Sequence, residues 1–193
     1  MRFQLGPPPD SLSDADLASG AWQPVRALPL WAAQLLAVPI GTAVALVVMA
    51  AWVLMTPHFD MSFAPAWHVA VAGAMVILSG MLVQVSAHPL RGLSSQSIIG
   101  IWPSRFTPYT ACLTTIRKQH LVAVSVLPFL VLTVLPLAFA AVTQISSGWL
   151  VFASCFAAWV FGPVLVLGLP TWWLPPKCMV AGRGFKAYWR PFS

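Results

Sequence analysis

The chain has no glutamate, and its only acids are Asp10, Asp14, Asp16 and Asp60. Charged residues fill 7% of its 193 positions, against about 25% in a soluble globular domain. A soluble protein of this size could not cover its surface with so few charges. The hydrophobic 59% comes in long runs, which makes lipid the expected solvent. Cysteine is also scarce. Cys112, Cys155 and Cys178 form no CxxC pair and stand at no metal-ligand spacing from a histidine, so they read as reduced structural thiols. No Gly-rich phosphate loop, Ser/His/Asp elbow or carboxylate pair is present. All four acids lie outside the apolar runs, where a proton or ion carrier would need an ionisable group, so secondary transport is a poor reading.

Four apolar runs are long enough for spanning helices of about 20 residues. They cover residues 31–55, 67–87, 121–142 and 149–169. Pro39, Pro128, Pro136 and Pro163 fall inside them and predict kinks, because each proline removes a hydrogen bond and crowds the preceding turn. The expected fold is all-α, with an arm at 1–30, a four-helix membrane domain at 31–174 and a basic tail at 175–193.

The ten Lys and Arg residues set the expected orientation. Arg2 and Arg26 precede the first run. Arg91, Arg105, Arg117 and Lys118 lie between the second and third, and Lys177, Arg183, Lys186 and Arg190 follow the fourth. The other two loops carry none, so the positive-inside rule places both termini and the central loop in the cytoplasm. Trp31, Trp67, Trp149, Trp172 and Trp173 sit near span ends and suit interfacial anchoring. The net charge of +6 is explained by a membrane surface rather than by nucleic acid.

The first thirty residues do not read as a secretory signal. Arg2 is followed by three prolines and three aspartates, with no apolar stretch before Leu28. They read as a cytoplasmic arm with one helical turn capped by Asp10 or Ser11. In the central loop, residues 98–102 and 109–115 are β-prone and separated by prolines, which predicts a small hairpin. Gly73, Ala74, Ser79 and Gly80 in the second span permit close helix packing.

Histidine, aspartate and cysteine are the only groups for metal or acid–base work. His88 ends the second span, His68 opens it, His120 opens the third, and His58 shares an outer loop with Asp60. A lone histidine at a span end is most often a satisfied interfacial residue, and none here has a partner at i+4. Gln84 and Ser86, just before His88, suit hydrogen bonding across a helix interface. The metal candidates are His88, His120 and Cys112. The candidates for partner or lipid contact are Arg91, Arg105, Arg117, Lys118, Lys177, Arg183, Lys186 and Arg190.

Several local patterns occur in a familiar order: Trp22-Gln23-Pro24-Val25-Arg26, His88-Pro89-Leu90-Arg91-Gly92-Leu93, Tyr109, Arg117-Lys118-Gln119-His120, the run from Val126 to Leu137, and the stretch from Val180 to Tyr188. In these the chain resembles a bacterial family of four-span membrane proteins described as zincin peptidases and otherwise of unknown function. The resemblance spans about Trp22 to Trp189. It implies an HExxH helix near His88, in which two histidines bind zinc and the glutamate polarises a metal-bound water. That motif is degenerate here. With His88 as the second histidine, Gln84 replaces the first and Val85 the glutamate. With His88 as the first, Pro89 replaces the glutamate and Gly92 the second histidine. The resemblance also implies an acidic ligand in the last span, where this chain reads Phe161-Gly162-Pro163-Val164.

The expected protein is therefore a non-catalytic membrane protein without a cofactor, an accessory or structural subunit or regulator of a larger inner-membrane complex. Its expected partners are lipids and other membrane subunits, not nucleic acid. Two alternatives stand beside it. One is an active peptidase with atypical ligands drawn from His88, His120 and Cys112. The other is a lipid, quinone or small-molecule binder with a pocket near Pro128, Pro136 and Pro163.

Overall fold

The computed structural model describes residues 1–25, 28–56, 66–92, 94–105, 107–145 and 147–191, with backbone alone for Leu90 and Arg91. Arg26, His58 and Asp60 lie outside the described residues. The chain divides into two compact units, one of residues 31–83 and 125–167, the other of 1–30, 84–124 and 168–193.

The first unit is helical. In chain order the protein's helices are α1 (Asp14–Ala18), α2 (Leu30–Met55), α3 (Ala66–Ser86), α4 (Lys118–Phe129), α5 (Leu135–Thr143), α6 (Gly148–Leu167) and α7 (Leu169–Trp172). A π turn at Leu130–Val134 joins α4 to α5, so Lys118–Thr143 is one apolar helix. Among the described residues four helices are thus long and apolar enough to cross a membrane, within three residues of the expected bounds. The π turn lies between the third span's two prolines. Neither Pro128 nor Pro136 can donate to the helical ladder, and the widened turn, with Leu135 N–H donating to Leu130 C=O, absorbs the break.

Within this unit α6 is the most buried helix, with 44% of its apolar window covered. Trp52 of α2 is fully buried and donates through Nε1 to Ser154 Oγ at 3.1 Å. Ser154 Oγ donates onward to Thr133 C=O at 3.1 Å, and Thr133 Oγ1 returns a bond to Ser154 C=O at 3.4 Å. Three helices are thereby joined by polar groups that satisfy one another, as they must where water is absent. A methyl group at Gly80 would overlap the Phe161 ring, and one at Gly41 would overlap Trp159 C=O. Gly73 and Gly80 of the second span therefore pack against α6, whereas Ala74 is exposed. The outward faces stay apolar: Leu35, Val47, Leu54 and Val142 are 68–84% exposed.

The second unit overturns the all-α expectation. Among the described residues it contains seven strands: β1 (Arg2–Leu5), β2 (Gln23–Pro24), β3 (Ser97–Trp102), β4 (Thr107–Cys112), β5 (Ile116–Arg117), β6 (Cys178–Arg183) and β7 (Lys186–Pro191). One sheet has the order β1-β3-β4, with β1 parallel to β3 and β3 antiparallel to β4. The hairpin expected in the central loop is β3–β4, and its central strand is the apolar run Ile98-Ile99. The other sheet, β2-β7-β6-β5, is antiparallel throughout. The tail turns back on itself at Gly184-Phe185, where Gly184 takes φ +57°, and pairs Arg183 with Lys186 through Cys178 with Pro191.

The arm and tail, read from sequence as separate appendages, belong to this same unit. Leu12 and Trp22 are buried against Ala181, with Leu17, Met179 and Tyr188 around them. Ser11 Oγ donates to Gly182 C=O at 2.6 Å and accepts from Gly182 N–H at 2.9 Å. The cap of α1 is Ser13 rather than Asp10 or Ser11, because only Ser13 has Asp16 three residues on to complete a reciprocal capping box. Asp14 and Asp10 are drawn instead to Arg183, at 2.7 and 3.7 Å.

Candidate functional site

His88 follows α3 and sits at the head of a short helical turn, Pro89–Gly92. It is only 4% exposed. Its Nδ1 lies 3.3 Å from Ser97 Oγ, and Ser97 is fully buried at the start of β3. Burial holds the His88 imidazole below its ordinary pKa, and the nearby His120 charge lowers it further. The ring is therefore neutral at neutral pH. His120 at the start of α4 donates through Nδ1 to Ala87 C=O at 3.1 Å, since a carbonyl can only accept.

A cavity of about 160 Å³ opens against His88. Thr110 and Cys112 of β4, Thr114, Ile116 of β5 and the hairpin β6–β7 line it. Cys112 Sγ lies 3.2 Å from Thr114 Oγ1. Thr110 Oγ1 donates to Gln84 Oε1 at 3.2 Å. The three metal candidates thus fall in one neighbourhood: His88 and Cys112 share the cavity, and His120 acts electrostatically on His88.

Zinc does not fit this donor set. Among the described residues no three of His, Cys, Asp and Glu gather where they could hold a metal ion. A catalytic zinc site uses about three protein ligands. The two positions that could supply a second histidine near His88 are both otherwise engaged. Gln84 is bonded to Thr110, and Gly92 takes φ +73° beside Val85, where a Cβ would overlap both the Val85 methyl and its carbonyl. A water could occupy the cavity, where His88, Thr110 and Thr114 offer polar partners.

The basic candidates fall into distinct groups. Arg183 holds Asp10 and Asp14. Arg190 lies over the Trp22 ring at 4.8 Å and Arg105 over Trp102 at 5.6 Å. Lys118 Nζ donates to Trp172 C=O at 2.6 Å and to Leu174 C=O, tying the start of α4 to the chain beyond α6. Lys186 is exposed near the hairpin turn. Arg117 and Lys177 line a second cavity, of about 310 Å³. The side chain of Arg91 is outside the description.

Sequence reasoning missed Ser97, the partner of His88, and Trp22, a core residue beneath Arg190. A lone serine before an apolar strand carries no signal, because its partner is nine positions away in the chain and set only by the fold. Trp22 lay in an arm with no periodic pattern to mark it as core.

No protein-family model matches this chain, and comparison with curated proteins and with solved structures gives no match either.

Proposed function

We propose that this chain is a non-catalytic, four-span protein of the bacterial inner membrane, built on a zincin-like scaffold that has lost its metal site. In this reading it serves as an accessory or structural subunit, or a regulator, of a larger membrane complex. The observation that carries the reading is His88: a buried, neutral histidine bonded to Ser97, with Gln84 and Gly92 at the places where a second histidine would stand. No glutamate exists in the chain to act as base.

Both termini and the central loop share the cytoplasmic side in this proposal. The distribution of charge supports it: all ten Lys and Arg belong to the unit that contains the sheets. Connectivity supports it as well. Residues 1–30, 84–124 and 168–193 make one compact unit, and two apolar helices separate each segment from the next. Segments that pair with one another need one side of a membrane, and an even number of crossings returns the chain to it.

The test is extraction in a mild detergent from the native membrane, followed by native purification and mass spectrometry. The expected result is a stoichiometric membrane-protein partner. A lone monodisperse chain that hydrolyses peptides, with the activity lost in His88→Ala, would overturn the proposal.

A further inference from the structure

We infer that the open face of the β1-β3-β4 sheet, with Phe3, Leu5 and Ile101 on it, beds into the headgroup layer of the bilayer that the apolar helices cross. This goes beyond the partner reading above and rests on its membrane placement. Phe3 and Leu5 are 65% and 69% exposed. Side chains alternate along a strand, so these two share one face. The register sets Phe3 beside Ile99 and Thr110, and Leu5 beside Ile101 and Pro108, on that same face. Ile101 and Pro108 are exposed as well, so the open apolar area runs across all three strands.

The two faces of this sheet differ in what they meet. On the other face Trp102 and Tyr109 pack on Phe185 of the β6–β7 turn, with ring centres 5.5 and 6.4 Å away, and Ile98 is buried. The face that carries Phe3 and Leu5 is covered where it meets α3. There Ser97 Oγ lies against His88 Nδ1, and Thr110 Oγ1 donates to Gln84 Oε1. Gln84 stands in the last turn of α3, an apolar helix of 21 residues, and His88 lies just beyond it. This face is therefore turned toward the end of a membrane helix. Its uncovered part, from Phe3 and Leu5 to Ile101 and Pro108, continues sideways from that contact, at the level where the helix leaves the lipid.

The chemistry fits a lipid surface. A contiguous apolar patch on a soluble face marks a contact with a membrane or a partner, and here the membrane lies beside it. The formal charges of residues 1–9 and 84–124, which include the whole sheet, are all positive. Anionic headgroups attract such a segment and nothing in it repels them. The sheet's edge sets the depth. β1 stands at that edge, so its outer N–H and C=O groups need partners that hydrocarbon cannot supply. The strand therefore lies at the boundary between headgroups and acyl chains, where water still reaches the backbone, with Phe3 and Leu5 directed inward.

The test uses the full chain, one per nanodisc, in phosphatidylcholine and phosphatidylglycerol that carry a diazirine near the top of one acyl chain. Light expels dinitrogen from the diazirine, and the carbene left behind inserts into a neighbouring C–H or O–H bond. Peptide mass spectrometry then locates the lipid adducts. In wild type they are expected at residues 1–5, as well as on the outward Leu35 and Val47 of α2. The turn at 184–186, on the other face of the sheet, should carry none. Phe3→Ser with Leu5→Ser should lower the yield at residues 1–5 about ten-fold, as expected for losing two apolar anchors, and leave α2 as in wild type. If the double variant melts early, Leu5→Ser alone carries the test. Adducts on α2 but none at residues 1–5 overturn the proposal, and this is also the result expected if a second copy of the chain is the true cover, since each disc holds one chain. Equal yield in wild type and variant, or equal labelling of the 184–186 turn, overturns it too. Adducts on neither α2 nor residues 1–5 would overturn the membrane reading itself, so the two failures are distinct.

Discussion

The two units solve the problem of burying polar groups in opposite ways. The helical unit ties three helices together through Trp52, Ser154 and Thr133 and meets its surroundings with exposed leucine and valine. The sheet-containing unit carries all ten basic residues, three aspartates, and a neutral histidine on a buried serine. One is shaped for lipid on its outside. The other carries the charge and buries His88. The lesson is that the chemistry available to this protein lies almost wholly in the second unit.

The largest effect should come from the helical unit's core. Trp52→Ala removes a fully buried side chain and leaves Ser154 without its donor, so a loss of about 3–5 kcal/mol is expected. Leu54→Ala, on an 82% exposed neighbour, should stay within about 0.5 kcal/mol. Unfolding by steric trapping in bicelles reads both, and similar losses would erase the contrast between covered and outward faces.

The sheet-containing unit should instead respond to pH. The His88 pKa is lowered in the folded state from an ordinary 6.5, so the unfolded chain binds the proton more readily. Stability is then fully present above about pH 6.5 and falls as pH drops through the folded value. In His88→Gln this slope should vanish, while baseline stability drops by about 1–3 kcal/mol because Ser97 loses its partner. Melting curves between pH 7.5 and 5 decide it, and an unchanged slope in the variant would remove His88 as its source. Asp16, whose pKa is lowered by the Ser13 bonds, acts only in a separate window, below its ordinary 3.8.

The smallest effect is at the arm. Ser13→Ala breaks the capping box of α1 and should cost about 0.5–1 kcal/mol. Hydrogen exchange at Asp16 N–H, which Ser13 Oγ accepts at 3.2 Å, should quicken locally while the helical unit is unaffected. Equal exchange in both proteins would show that the cap does not hold the arm.

These contrasts also explain what could be read from residues alone. Spanning helices were legible because length and apolarity are local properties, and the bounds of α2, α3 and α6 follow directly from them. The β3–β4 hairpin was legible because Ile98, Ile99 and Ile101 are β-branched and the prolines between the strands break any helix. The strands β1, β6 and β7 were not. Arg2–Leu5 is too short to show alternation, and its partner Ile98 lies almost a hundred residues away. The tail's Ala181-Gly182-Arg183 has little β-propensity and forms a strand because Ser11 and Trp22 pack on it. His88 stood out as a polar residue at a helix end, but its burial and its bond to Ser97 come from the fold. The basic residues looked alike in sequence; only three-dimensional structure separates Arg183, engaged by aspartates, from Arg190, which lies over the Trp22 ring.

The central claim is that this scaffold holds no catalytic metal. Its most direct test is the zinc content of the full chain, purified without chelator from zinc-supplemented cells, for wild type and His88→Ala side by side. The account predicts far less than one zinc per chain in both, with no difference between them. One zinc per chain in wild type, lost in His88→Ala, would contradict it.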